Sequence, residues 1–390
     1  MHPSLDQLAR SAADHERHNR LQPAMSYAEQ ALVQDPSHPL ARLIAARCAR
    51  RTGALDQALR HLHNVDRNQR GAPHLHEWAQ ILDKQGQYET AYKAFTIANR
   101  SRQADHQDVD RTLMPRFISQ VVNSFTSDWV QSWTHLPPSH RAEPLFMVGF
   151  NRSGTTLLGR MLDAHPQVHV MEEVSAIYQA RRVLDNHAAH DLATLEPAHL
   201  RAAREAYFAV VDAHVPAGFD GLVVDKLPLN TIELGLIHRL FPSAKTVFSL
   251  RHPADVVLSN FMQNYTPNPV TVHFDNLEST AKMYAQVMGL GLQLRSVLPM
   301  DVLDIRYEDL VDDWEPQVRR LLDFAGLPWD DQIRGYLKRT QQQGLIETPS
   351  YAAVVEPVHR KAVGRRHNYA SAIASVGPVL TPFIDALDYR

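Results

Sequence analysis

The chain has 390 residues, 44% of them hydrophobic and 21% charged, with a formal net charge of −3. That length suggests two or three domains with room for a large core. Neither the first 105 residues (14 Lys+Arg against 11 Asp+Glu) nor the remainder (26 against 32) is basic enough to predict nucleic-acid binding. Any anion site must therefore come from individually placed residues.

Cys48 is the only cysteine, which excludes an intrachain disulfide and a cysteine-based metal cage. The N-terminal stretch MHPSLDQLARSAADHERHNR lacks the apolar run of a signal peptide, and no later segment has the length and apolarity of a membrane span. A reducing, cytoplasmic compartment is the expectation. The 22 histidines include the pairs His61/His63, His74/His76 and His187/His190. No pair sits beside a carboxylate or third ligand in a recurrent pattern, so they read as scattered surface imidazoles rather than a metal site.

Residues 1–105 read as helical and internally repetitive. RTGALDQAL (Arg51 to Leu59) and KQGQYETAY (Lys84 to Tyr92) superpose with Gly53 on Gly86 and Ala58 on Ala91, an offset of 33. A weaker copy places Ala24, Ala28 and Ala31 before Asp35-Pro36, with Ala24 to Ala58 an offset of 34. Small residues at these positions let paired helices approach closely, with Trp78, Leu82 and Phe95 filling the gaps. The period resembles the tetratricopeptide repeat, and about three units fit. Such a stack either offers a concave surface to an extended peptide or serves as a packing spacer.

Residues 106–140 read as one connecting amphipathic helix. Phe117, Val121, Val122 and Phe125 recur at helical spacing, Trp129 and Trp133 follow, and Pro137-Pro138 ends it. From 141 to 390 strands alternate with helices, which predicts an α/β domain with a mainly parallel sheet. The expected strands are Leu145–Val148, Leu222–Val224, Thr246–Leu250 and Val302–Ile305.

The stretch PLFMVGFNRSGTTLLGRMLDAHP (Pro144 to Pro166) has the layout of a phosphate-binding loop: a buried strand, a turn bounded by Gly149 and Gly154, then an apolar-faced helix. Thr155 stands where an ATP- or GTP-binding loop has lysine, so nothing spans the β and γ phosphates of a triphosphate. Arg152 supplies charge inside the turn instead, and Ser153, Thr155 and Thr156 add hydroxyl donors beside the positive end of the helix. Further on, FPSAKTVFSLRHPADVVLSNF delivers Arg251 at a strand's C-terminal edge and Ser259 on the following helix. That pair suits a second phosphate.

Together these two segments resemble the sulfotransferase family, over about residues 140 to 370. The resemblance implies an α/β fold with a P-loop-like parallel sheet flanked by helices, here preceded by the all-α repeat region. It also implies 3′-phosphoadenosine 5′-phosphosulfate (PAPS) as co-substrate, with no metal required. On that basis Arg152, Ser153, Gly154, Thr155 and Thr156 hold the 5′-phosphosulfate, and Arg251 and Ser259 the 3′-phosphate.

Within the family the chain is most similar to the tyrosylprotein sulfotransferase branch. The run MLDAHPQVHVMEEVSAI (Met161 to Ile177) places Glu173 at the catalytic glutamate, with Glu172 beside it. DKLP places Lys226 at a lysine that contacts the reacting sulfate. TPSYAAVVEPVHRKAVGRRHNY places Ser350 at a transition-state serine and Arg365 at a cofactor-contacting basic residue. RYEDL brings Tyr307 to the nucleotide. Two positions depart from the family pattern. Asn151 replaces the proline before the loop arginine, and Gly364-Arg365-Arg366 stands where GRW is usual.

The resemblance thus implies in-line sulfuryl transfer to a hydroxyl, with Glu173 as general base and Lys226, Arg152 and Ser350 stabilising charge. A protein or peptide tyrosine is the expected acceptor, and the repeats would present it. A sugar, lipid or small hydroxyl compound is the second enzymatic reading. The third is a non-catalytic scaffold carrying a nucleotide-binding domain. A triphosphate-dependent kinase is disfavoured by the missing loop lysine.

Overall fold

The computed structural model describes residues 3–104, 107–133, 136, 139–184, 192–343 and 357–389. The N-terminal region forms six helices in three consecutive pairs. These are α1 (Leu5–Arg17) with α2 (Leu21–Gln34), α3 (Pro39–Arg51) with α4 (Leu55–His63), and α5 (Ala72–Lys84) with α6 (Tyr88–Ala104). The second and third pairs turn alike. Gly53 and Gly86 take left-handed backbone, and Ala54 and Gln87 donate back to Ala49 O and Leu82 O at 2.8 and 3.0 Å. In the first pair Asn19, at φ 56°, takes the glycine's place, and Arg20 donates to His15 O at 2.9 Å. Asparagine tolerates this conformation, so a glycine-based comparison passes over the first turn. Ala24, Ala28, Ala31, Ala58 and Ala91 are fully buried between the helices.

The connecting segment is two helices rather than one, α7 (Leu113–Ser124) and α8 (Ser127–Gln131). Phe125 is extended, and the Thr126 hydroxyl caps the second helix by accepting from Trp129 N–H at 3.2 Å. The Phe125, Trp129 and Trp133 rings pack edge to face. The Phe125 ring also presses so closely on Gly235 that a Cβ there would lie 2.2 Å from it.

Five parallel strands follow: β1 (Leu145–Gly149), β2 (Val168–Glu172), β3 (Leu222–Lys226), β4 (Thr246–Leu250) and β5 (Val302–Arg306), in the order β2-β3-β1-β4-β5. Four of them stand where hydrophobic runs place them. β2 was not expected: VHVME has neither a continuous apolar run nor a strict alternation, and at the sheet edge only Val168 and Met171 are buried.

Alternation along the strands feeds two cores. Leu145, Met147, Val224 and Val247 face α9 (Thr155–Asp163) and the helices after β5. Phe146, Val148 and Phe248 face α11 (Pro197–His214), α12 (Leu234–Leu240) and α14 (Leu277–Val297). The chain runs from β1 to β2 on one side and later returns to β4 on the other. The loop after β1 therefore lies at the point where connections diverge, the crevice in which open α/β sheets bind ligands.

The helical region docks on the second layer through buried polar groups. His76 and Gln80 contact Met262 O at 2.9 and 3.0 Å, Asn99 donates to Phe261 O at 2.9 Å, and Arg102 donates to Gln263 O at 3.0 Å. The expectation that the histidines are superficial therefore fails at His76, which is buried against the α/β region. Among the described residues no group of three or more His, Cys, Asp or Glu is placed to hold a metal ion. No helix among them is long and apolar enough to cross a membrane.

Candidate active site

The loop between β1 and α9 is held in a conformation few residues permit. A Cβ on Gly149 would lie 2.5 Å from Ser249 O, and one on Gly154 (φ 100°) 2.6 Å from the Tyr307 ring. Arg152 is also left-handed, at φ 71°. Thr231 pins the loop's start: its hydroxyl accepts from Gly149 N–H at 2.9 Å and donates to Gly149 O at 2.7 Å. Asn260 pins its middle by donating to Asn151 O at 2.8 Å. The Ser153 hydroxyl is buried and has no hydrogen-bond partner among the described residues. A buried orphan hydroxyl in a turn at a helix N-terminus is the donor set that an oxyanion completes.

Arg251, Ser259 and Tyr307 converge on the same loop. Arg251, at the end of β4, donates to Arg152 O at 3.1 Å and Ala362 O at 2.6 Å. Its guanidinium lies 4.8 Å from the Tyr307 ring centroid. Its Nε is buried without a partner among the described residues, a second donor awaiting an acceptor. Arg152 Nε donates to Ser259 Oγ at 3.1 Å on α13 (Pro253–Phe261). Arg152, Gly154, Thr156, Arg251 and Tyr307 border a cavity of about 80 Å³. Burial foremost, then the Arg251 and Arg365 charges against a partial counter-effect of Tyr265, holds Arg152 below the ordinary arginine value. Cations gathered at this density favour an anion among them.

The reacting end is built where β2 and β3 finish side by side, with Glu172 opposite Lys226 in register. Lys226 is fully buried. Its ammonium lies 2.7 Å from Glu172 and 3.1 Å from Glu173. Glu172 also receives Arg160 from α9, so its charge is shared between two cations. Glu173 takes left-handed backbone (φ 56°) while its N–H donates to Lys226 O at 2.8 Å, which turns its side chain off the strand direction. It is 38% exposed. Glu173 borders a cavity of about 40 Å³ shared with Arg152, Thr155, Thr156 and Tyr265. It also borders an open groove of about 1050 Å³ between α10 (Ala176–Val183) and α11.

Of the expected residues, Arg365 stands apart from this cluster. Arg365 pairs with Asp83 of α5 at 2.5 Å, although its charge reaches Arg152. Ser350 lies outside the described residues. Arg366, at the departure from GRW, bonds Asp255 at 2.9 Å. A separate cavity of about 520 Å³ beside Val130, Trp133 and His238 has no carboxylate on its walls.

Thr231, Asn260, Tyr265 and Arg160 escaped the sequence reading. Tyr265 reaches the loop through Asn260, donating to its side-chain oxygen at 2.8 Å. Only the position of Asn260 beside Ser259 signalled any of them.

Residues 144–331 match the model of the sulfotransferase family. An uncharacterised protein of Aquifex aeolicus (strain VF5) is 26% identical over 326 residues, covering 79% of this chain and 40% of that protein. Protein-tyrosine sulfotransferase A of Caenorhabditis elegans is 28% identical over 204 residues, covering 50% and 53%. The chain therefore spans about half the length of these curated relatives. A solved sulfotransferase domain from the curacin biosynthetic pathway is 19% identical, covering 64% of this chain and 99% of that one, with a TM-score of 0.41. The matched segment runs from β1 past β5 and includes the loop at the sheet's switch point, so the likeness to the sulfotransferase family spans the whole sheet.

Proposed function

We propose that this chain transfers a sulfuryl group from PAPS to an acceptor hydroxyl, with a tyrosine of a protein or peptide as the acceptor. One observation carries the reading: Glu173 stands between the anion loop and an open groove, with buried Lys226 at hydrogen-bond distance. A base there touches both the side where a donor sits and the side from which a hydroxyl arrives. The family match of the α/β domain and the name of the Caenorhabditis elegans relative support the donor and acceptor classes.

The bound PAPS supplies an activated sulfuryl group whose leaving group is a phosphate. Loop N–H groups with Ser153, Gly154, Thr155 and Thr156 hold its 5′ end, and Arg251 with Ser259 and Tyr307 holds its 3′-phosphate. Glu173 accepts the hydroxyl proton, and Lys226 and Arg152 offset charge on the reacting oxygens. Ser350 is assigned to the same task by resemblance alone. A sulfuryl group carries less negative charge than a phosphoryl, so fixed side-chain cations suffice for the stabilisation proposed here.

The groove favours a second reading as well. Val174, Val183 and Val210 with Ala206, Ala209 and Ala213 give it an apolar side, opposite polar groups such as Gln179 and Arg182, that suits a hydroxyl compound with a hydrophobic body. The test is transfer of labelled sulfate from PAPS to tyrosine peptides, saccharides, lipid alcohols and small phenols. Label in the peptide pool is expected, with Glu173→Gln slower by roughly 10²–10⁴ and unchanged in bisphosphate affinity. Label confined to another pool overturns the acceptor. Full activity in Glu173→Gln overturns the base.

A further inference from the structure

Two lines of contact join the helical region to the anion loop. The first begins at Asp83 in the last turn of α5. One carboxylate oxygen receives Arg365 at 2.5 Å and the other receives the Tyr369 hydroxyl at 2.6 Å. Tyr369 is buried and packs edge to face on Tyr88 of α6, with centroids 5.4 Å apart. The stretch carrying Arg365 is also tied to the site, on both sides of Arg365 and at Ala362. Gly364 and Arg366 N–H groups donate to Asp255 at 2.9 and 2.7 Å, and Ala362 O accepts from Arg251. Val358, His359 and Ala362 wall the same cavity as Arg152 and Arg251. The second line runs from His76, Asn99 and Arg102 through the 261–265 backbone to Tyr265, Asn260 and Asn151 O.

Asp83 has no local reason to be acidic. A carboxylate in the last turn of a helix opposes the helix dipole, which favours cations there. Its stabilising partners are instead Arg365 and Tyr369, more than 280 residues away in sequence. The pair is largely shielded from water, so its hydrogen bonds are charge-assisted and directional. It adds, from the helical region, a hold on a stretch that Asp255 and Arg251 hold from the α/β domain.

We propose that Asp83 is a positioning residue of the donor site. By holding Arg365 and Tyr369 it keeps residues 358–366 against the Arg152–Arg251 cavity, and the helical region thereby contributes to nucleotide affinity. This rests on the reading that the cavity takes a nucleotide donor. Asp83 touches no reacting atom, so its removal acts on donor binding rather than on turnover.

The experiment titrates the full chain with adenosine 3′,5′-bisphosphate by calorimetry in wild type, Asp83→Asn, Asp83→Ala, Arg365→Ala and the Asp83→Ala/Arg365→Ala double variant. Asp83→Asn is nearly isosteric and keeps an acceptor for Tyr369, so it serves where Asp83→Ala does not fold. The expected result is affinity weakened about tenfold in the Asp83 variants. The donor KM should rise in step while kcat at saturating donor stays within about twofold. The double variant should bind no more weakly than Arg365→Ala, as residues acting through one contact do. Unchanged affinity in folded Asp83→Asn, or additive losses in the double variant, overturns the proposal while leaving the donor reading intact. A wild-type chain that does not bind the bisphosphate overturns both.

Discussion

Thr231 and Gly149 hold each other through both backbone polar groups of the glycine. The one hydroxyl accepts from Gly149 N–H at 2.9 Å and donates to Gly149 O at 2.7 Å. Thr231 is fully buried and lies between β3 and α12, so the loop's first residue is set by a part of the chain more than 80 residues away. Thr231→Val keeps the shape and removes the hydroxyl, leaving a buried N–H unsatisfied. It should cost about 1–3 kcal/mol in urea unfolding and weaken bisphosphate binding, with both effects reversed in Thr231→Ser. A valine variant as stable as wild type would show that the glycine finds another partner.

Glu172 and Glu173 are neighbours with different surroundings, and their variants should separate. Glu172 is bound by Arg160 and Lys226, whereas the one cation within reach of Glu173 among the ion pairs described is Lys226. Glu172→Gln therefore leaves the fully buried Lys226 with half its compensation and Arg160 with a neutral partner. The expected result is a loss of about 1–3 kcal/mol in stability with the proposed base still present. Glu173→Gln takes one charge from Lys226 but leaves Arg160 paired with Glu172, so it should cost less stability than Glu172→Gln while slowing turnover by roughly 10²–10⁴. Measuring melting temperature and turnover on both variants decides the assignment, and the opposite pattern would exchange the two roles.

Asp225 predicts a pH dependence of stability. It is completely buried on β3 and bonded by the Tyr207 hydroxyl at 3.0 Å and Asn230 at 3.2 Å. Burial pushes its carboxyl up from 3.8 to about 7, against the smaller opposing effect of the Tyr207 hydrogen bond. The folded state thus holds a proton that the unfolded state releases near pH 3.8, so stability contributed here falls as pH rises from about 4 to about 7. The slope is roughly 1.4 kcal/mol per pH unit within that window and flat outside it. Asp225→Asn removes the titration. The difference in unfolding free energy between variant and wild type should therefore move in the variant's favour from pH 5 to pH 8. A difference independent of pH would place the proton elsewhere.

Local chemistry determined much of this protein. Hydrophobic runs marked four of five strands because buried parallel strands need nearly continuous apolar residues. Gly149, Gly154 and Arg152 announced the anion loop, since close backbone approach and a left-handed turn restrict which residues fit. The repeated Gly53 and Gly86 turns announced the helix pairs. The edge strand β2 was not legible, because VHVME shows neither a continuous apolar run nor a clean alternation and buries only Val168 and Met171. The break at Phe125 was hidden in the same way, because the aromatic stripe continues across it.

The tertiary structure alone decided which of these residues share a site. Lys226 meets Glu172 and Glu173 because β2 and β3 pair in register, a contact spanning more than 50 residues. Thr231, Asn260 and Tyr265 support the loop from distant elements through hydrogen bonds that leave no periodic trace. Arg365 was expected by resemblance as a cofactor-contacting cation, but its partner Asp83 was not expected. Nothing in a helical repeat's own spacing indicates which residue of another layer its last turn will meet. Spacing along the chain reports neighbours within one element, whereas side-chain pairs between layers arise only when the packed cores bring those layers together.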